Sequence, residues 1–332
     1  MARRARTTRG EKRTPERHNA PVPPRAAIAC AALAASVAAA VASGHPVTGA
    51  PKCAIFPRSN PWNQRVDKLP VAENSAAIIQ SIGASGSVHA DFGSGLWEGA
   101  PIGIPYTTVP KTQRKVRVSF GYADESDKGP YPLPPNAPIE GGPNSDGDRH
   151  VIVVDRDACK LYELYAARRR SGGRSWTAGS GAIWSLASNK LRPSGWTSAD
   201  AAGLPILPGL ARYEDVKKGG IDHALRFTAS RTRRAFIYPA RHFASTLTDP
   251  DLPAMGQRLR LRASFDVNRF PRQARAVLVA LKRYGMILSD NGSPWYISGA
   301  PSKGWDNDDL HTLARVNGSD FEVVDTSKLP RP

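Results

Sequence analysis

The strongest constraint on this chain is a succession of short β-branched and aromatic runs, fenced by turn residues, against which one long stretch alone keeps a helical period. The runs fall at residues 102–109, 115–120, 150–154, 159–165, 182–186, 224–228, 235–238, 258–262, 295–298 and 321–324. Such runs bounded by Gly, Pro, Asn and Asp read as strands. In 258–262, Arg and Leu alternate, which predicts one wet and one packed face. The helical stretch is 271–284, where Ala274, Val277, Leu278, Leu281 and Tyr284 form one apolar stripe. Asn268 or Arg269 lies ahead of it, Pro271 suits its first turn and Gly285 ends it. Asn74 and Ser75 can cap a short helix to residue 82, and Asp306 another to 314. Many strands with few helices predict a mainly β fold, an antiparallel β-sandwich or jelly roll with a few covering helices.

The N-terminus bounds the compartment. The first 25 residues carry eight Lys or Arg against two Glu. Residues 26–42 are uncharged and apolar, and Ala40 and Ala42 precede Ser43. Basic, apolar and small-residue regions in that order read as a secretory signal peptide. The alternative is an uncleaved membrane anchor, because the apolar run is near the lower length for a span. The domain reading is therefore 1–43 as signal peptide or N-terminal anchor and 44–332 as a single β-rich extracytoplasmic domain, secreted or periplasmic. Beyond the signal only Cys53 and Cys159 remain. In an exported protein they most simply form one disulfide, with two buried thiols as the alternative.

The formal charge of +17 suits a polysaccharide or other anionic polymer as partner. The basic residues are scattered and no nucleic-acid-binding motif occurs, so nucleic acid is not the expected partner. The chain is expected to act as a monomer. No nucleophile elbow, Walker loop, dinucleotide fingerprint or metal-ligand spacing occurs, so no cofactor and no metal is expected.

Chemistry is sought at two predicted hairpins. A turn between Arg156 and Asp157 would set His150 opposite Glu163 at the open end of one face, an imidazole beside a carboxylate suited to acid–base work. A second turn at Arg231 and Thr232 would bring His223 and His242 to one hairpin mouth near Arg226. The loop 192–210 supplies Trp196 and Asp200, an aromatic face for a sugar ring and an acceptor for its hydroxyls. Trp62 and Trp97 also lie in loop-like surroundings, although most of the seven Trp should fill the core. Glu163, Asp200, Asp222 and Asp266 are the candidates for a pair of glycosidase carboxylates.

The blocks CAIFPRSNPWN at 53–63, GDRHVIVVDRDACKLYELY at 147–165, GWTSADAAGLPILPGL at 195–210 and RYGMILSDNGSPWYISGAP at 283–301 together resemble a family of secreted bacterial hypothetical proteins. The resemblance implies secretion and one domain, and brings no activity with it. The function expected from the residues is a secreted carbohydrate-active protein, a glycoside hydrolase or lyase. Its catalytic residues would be His150, Glu163, His223 and His242, with Asp200, Trp196 and Arg226 binding substrate. The competing reading is a non-catalytic carbohydrate-binding or structural cell-envelope protein.

Overall fold

Two sheets account for most of the strand content of the computed structural model, which describes residues 45–331. The signal or anchor segment lies outside the described residues. In chain order the strands of these two sheets are β1 (His89–Asp91), β2 (Tyr106–Val109), β3 (Val151–Asp155), β4 (Lys160–Tyr165), β5 (Ser180–Ser185), β6 (Leu225–Ala229), β7 (Arg258–Leu261), β8 (Met286–Asn291), β9 (Tyr296–Ser298) and β10 (Phe321–Val323). One sheet has the order β5-β4-β3-β2 and the other β10-β7-β8-β6-β9-β1. The helices are α1 (Ser75–Ile82), α2 (Tyr213–Lys217), α3 (Arg272–Arg283) and α4 (Asn307–His311). The fold is therefore mainly β with a few helices. The sheets are mixed: β2 runs parallel to β3, β6 to β8 and β9 to β1.

Strand β3 is buried along its whole length, and this explains why its sequence is continuously apolar rather than alternating. Ile152 and Val154 join a core shared with Leu161, Trp184, Phe227, Leu259, Leu288 and the α3 stripe. Val151 and Val153 face the other way, into a second cluster with Tyr131, Leu164 and Trp176. Helix α3 buries Ala274, Val277, Leu278 and Leu281 as its period predicts. Its first-turn N–H groups are met from α4: the Asp309 carboxylate accepts from Gln273 and Ala274 at 2.8 and 2.7 Å. Gly285 closes the helix in the left-handed region (φ 68°).

Several sequence expectations are corrected. The first hairpin forms with a longer turn, so Ile152 faces Glu163 and Val154 faces Leu161. Asp155 Oδ1 accepts from the N–H groups of Asp157 and Ala158, at 3.0 and 2.9 Å, which widens the turn. The ladder is offset by two positions, so the faces are preserved but His150 and Glu163 are no longer opposite. The second hairpin does not form. Both edges of β6 are occupied, by β8 and β9, and 235–238 makes only an isolated bridge from Phe236 to Met255. Strand β7 has no wet face. Arg258 donates to the carbonyls of Tyr284, Pro61 and Gln64, and Arg260 to Glu322 at 2.8 Å.

Cys53 and Cys159 form a disulfide that closes a sequence separation of 106 residues. It fastens the short strand Ala50–Ala54 to the β3–β4 turn and points to an oxidising, extracytoplasmic setting. No helix among the described residues is long and apolar enough to cross a membrane. Reduction, or Cys159→Ser, is expected to lower stability by about 2–4 kcal/mol, since a loop this long adds much freedom to the unfolded chain. Urea midpoints measured with and without reductant read the loss, and coincident curves would show that the bridge contributes nothing.

Candidate functional site

A polar seam links residues carried by the two sheets. It begins on β6, where Arg226 is almost fully buried. Its guanidinium grips Asp200 with two bonds, Nε to Oδ2 at 2.9 Å and Nη2 to Oδ1 at 2.8 Å. Nη2 also donates to Asp290 Oδ2 at 3.0 Å, and Nη1 to Ser298 Oγ at 2.6 Å. Ser298 on β9 pairs with Asp91 on β1, which extends the seam across the sheet. Asp290 reaches Arg226 because the β6–β8 register shifts between Phe227 and Thr228, bringing Asp290 into line with Thr228. Irregularities of this kind re-aim side chains.

The other wall comes from the smaller sheet. His150, just ahead of β3, places Nδ1 2.6 Å from Glu140 Oε2 and Nε2 3.0 Å from the Ala199 carbonyl. Burial opposes its charge, but Glu140 and Asp148 outweigh that and raise it to about 9. At neutral pH His150 is therefore an imidazolium donating at both nitrogens. Glu140 is lowered correspondingly, its desolvation overcome by the His150 charge. Glu163 on β4 is fully buried and accepts the N–H groups of Ile206 and Leu207 at 2.9–3.0 Å. Burial dominates those bonds and the Asp200 charge adds to it, pushing Glu163 up to about 7. So the sequence places His150 and Glu163 on one face, while the structure pairs His150 with Glu140.

Two cavities flank the seam. One, of about 290 Å³, is lined by Tyr122, Glu125, Asp148, Tyr165, His242 and Asp290 among others. The other, of about 510 Å³, is lined by Asp91, Glu140, His89, Tyr296 and Trp97 among others. His150 stands between them, bonded to Glu140 of one and Ala199 of the other. Among the described residues, no Lys or Arg lines either cavity, although the chain is strongly basic. The aromatic groups open to solvent are Trp97 at the larger cavity, 71% exposed, and Tyr122 at the smaller, 56% exposed. His89 stacks on Tyr296 at 4.2 Å.

The carboxyl groups differ in their hold on protons. Burial, and then the Asp200 charge, push Asp290 up to about 8 despite Arg226. Burial and Glu140 raise Asp91. One guanidinium is thus shared by two carboxyl groups, of which Asp200 has both oxygens engaged and Asp290 is pushed toward its protonated form. Their bonded oxygens lie no further apart than the two bonds to Nη2 allow, closer than the about 6.5–9.5 Å typical of inverting glycosidases.

The remaining sequence candidates are dispersed. His242 lines the smaller cavity, with Nδ1 2.7 Å from the Ala201 carbonyl and Nε2 3.9 Å from Glu125. His223 is elsewhere, buried beside Asp215 at 3.5 Å. Desolvation and the Arg212 charge lower it, which favours the neutral ring. Asp215, bonded by Arg212 and close to His45, is held well below the carboxylate range against the cost of burial. Asp222 meets His45 at 3.3 Å, and Asp266 caps a short turn through Asn268 N–H. Trp196 is half-buried under the Arg192 guanidinium, 5.4 Å from its ring centre, and lines neither cavity. Asp200 is buried and bound to Arg226, so its carboxylate is not presented to a ligand. Asp290, Asp91, Glu140 and Tyr122 enter the site from the structure, and Trp97, already marked by its loop-like surroundings, joins them. Among the described residues, no group of three or more His, Cys, Asp or Glu is arranged to hold a metal ion.

The chain thus has a mainly β architecture with an acidic, aromatic-flanked seam between sheets. Comparison with protein-family profiles, curated proteins and solved structures finds no match.

The seam's proton linkage has a definite sign. His150 rises from 6.5 to about 9 and Glu163 from 4.5 to about 7. Both folded values lie above the unfolded ones. Their contributions are therefore fully present below the unfolded values and are lost as pH rises through about 7 and then about 9. Glu140 and Asp215, which are lowered, act oppositely and lose their contribution in acid. Urea midpoints are expected to peak on the acidic side of neutrality and fall toward pH about 9. Glu163→Gln should flatten the lower part of that fall and His150→Gln the upper part. A midpoint unchanged across the range would contradict the pairing of His150 with Glu140.

Proposed function

We propose that the chain is a secreted glycoside hydrolase acting on a neutral glycan where two sheets of a β-sandwich part. The observation that carries this reading is the placement of Asp290, whose carboxyl lies at a cavity wall beside Arg226 and Asp200, where burial and the Asp200 charge raise it toward the neutral acid. A carboxylic acid held neutral is the general acid that glycosidic cleavage requires. Asp290 would protonate the departing glycosidic oxygen as its bond to the anomeric carbon breaks. Asp148, exposed on the same cavity, would take the proton of the water that forms the new carbon–oxygen bond. Arg226 and His150 are positioning residues: one holds Asp200 and Asp290 in register, the other fixes Glu140 and the Ala199 carbonyl.

Tyr122 and Trp97 offer faces for sugar rings at either side of the seam. The absence of Lys and Arg from both linings disfavours uronate substrates, and with them the lyase chemistry that needs a neutralised carboxylate. The test is a panel of neutral polysaccharides assayed for new reducing ends, with Asp290→Asn alongside wild type. Cleavage by wild type that is lost in the variant is the expected outcome.

The exposed Trp97 favours a second reading, a non-catalytic glycan-binding protein. It would retain glycan in affinity electrophoresis, yield no reducing ends, and lose retention in Trp97→Ala but not in Asp290→Asn.

A further inference from the structure

A third cavity, of about 620 Å³, has the opposite character from the seam. It lies between the end of α2 and the outer face of α3, lined by Lys217, Lys218, Arg272, Arg275 and Arg283. All five are exposed, and none takes part in an ion pair among the described residues. The one acid in the lining, Asp222, is engaged with His45. On α3 the positions 272, 275, 279 and 283 recur at intervals of three and four, which sets Arg272, Arg275, Val279 and Arg283 along one stripe. The stripe is about 16 Å long at 1.5 Å per residue, too long for one small anion.

We infer that this groove docks a flexible polyol-phosphate chain, a linear polymer of phosphodiester groups outside the cytoplasm. Unneutralised cations in a row suit repeated phosphates, and guanidinium forks bind phosphate oxygens bidentately. Val216, Ala276 and Val279 supply an apolar floor for the carbon chain between phosphates. A single-stranded nucleic acid would also need a face on which a base can stack. The aromatic residue in the lining, Tyr284, is only 8% exposed. The disulfide already sets the partner's compartment. A protein with a basic groove on one side and an acidic cleft elsewhere can rest on an anionic matrix while its cleft handles a neutral chain.

The test is fluorescence anisotropy of end-labelled poly(glycerol phosphate) with the full chain, across about 50–200 mM NaCl. The groove variant is Arg272→Ser/Arg275→Ser/Arg283→Ser. Its control, Lys111→Ser/Arg114→Ser/Lys115→Ser, removes the same charge from exposed positions outside the groove. Binding by the groove variant should weaken by about tenfold or more, with the salt slope falling by about 2. The control should change by less than about threefold. Equal weakening in both variants would reduce the effect to net charge and overturn the proposal, as would no binding by wild type or no loss in the groove variant. Tighter binding of a single-stranded oligonucleotide or a polyuronate than of poly(glycerol phosphate) would overturn the assigned partner. If the triple variant does not fold, Arg275→Glu is read the same way. Glycan turnover is measured separately, so failure there leaves this result standing.

Discussion

Arg226→Ala is expected to lower the free energy of unfolding by about 3–5 kcal/mol at neutral pH, the range for removing one partner of a buried ion pair. The reason is what remains. Asp200 is buried with both oxygens bonded to the lost guanidinium, and Asp290 and Ser298 lose a donor as well. A charge left without a partner in that surrounding must either stay desolvated or take up a proton. The penalty should therefore depend on pH. In the variant, the folded Asp200 carboxyl rises above its unfolded value near 3.9. The cost is absent below that value and grows as pH rises through the new folded one. Denaturant midpoints at about pH 4 and pH 7 should show the gap widening with pH. Arg226→Met/Asp200→Leu, which removes both members, should recover much of the loss, because apolar replacement of a buried pair is often near neutral. A double variant no more stable than Arg226→Ala would show that the stability resides in the Ser298 and Asp290 bonds. Arg226→Lys should fall between, since an ammonium lacks the fork that reaches Asp200, Asp290 and Ser298 together.

How much of this could be read from the sequence depended on whether the signal was local. The β3–β4 hairpin announces itself through apolar runs around DRDA, and α3 through its stripe. The Cys53–Cys159 bridge followed from cysteine count and export. The register of the hairpin was not legible, because Asp155 draws two following N–H groups into a wider turn. The hairpin at 231–232 is absent for a non-local reason: β6 already has partners on both sides, β9 and β8. The local signal of β8 is the short run Met286–Ile287–Leu288, framed by Gly285 and the Asn291–Gly292 turn. Asp290 lies on that strand. Glu140 lies in a Pro- and Gly-rich stretch where nothing in the spacing points to His150. Of the residues proposed from sequence, His150, Glu163, Asp200 and Arg226 do converge on the seam, and His242 reaches one of its cavities. His223 belongs to other surroundings, because the hairpin expected to deliver it does not form, and Trp196, on the loop 192–210, is covered by Arg192 instead.

Asp290→Asn should lower kcat/KM on a cleaved glycan by about 10²–10⁴-fold, the usual worth of a positioned general acid. The substitution keeps the side chain's size and one acceptor oxygen, so of the bonds from Arg226 and the Asn291 N–H, accepted by different oxygens at 3.0 and 2.8 Å in wild type, one is retained. What disappears is the proton. With Asp290 titrating at about 8, wild-type kcat/KM should fall as pH rises through that value, and residual activity of the variant should lack this limb. Stability should move the other way. A carboxyl raised from 3.8 to about 8 contributes fully below 3.8 and loses that contribution as pH rises through about 8. The amide carries no such linkage, so Asp290→Asn should gain on wild type at alkaline pH. Asp148→Asn offers the contrast: loss of turnover of similar size, with the alkaline limb retained in what activity remains. An Asp290→Asn protein that cleaves glycan as well as wild type, with the same descending limb, would remove Asp290 from the chemistry and pass the choice of acid to Asp91, a raised carboxyl that lines the larger cavity.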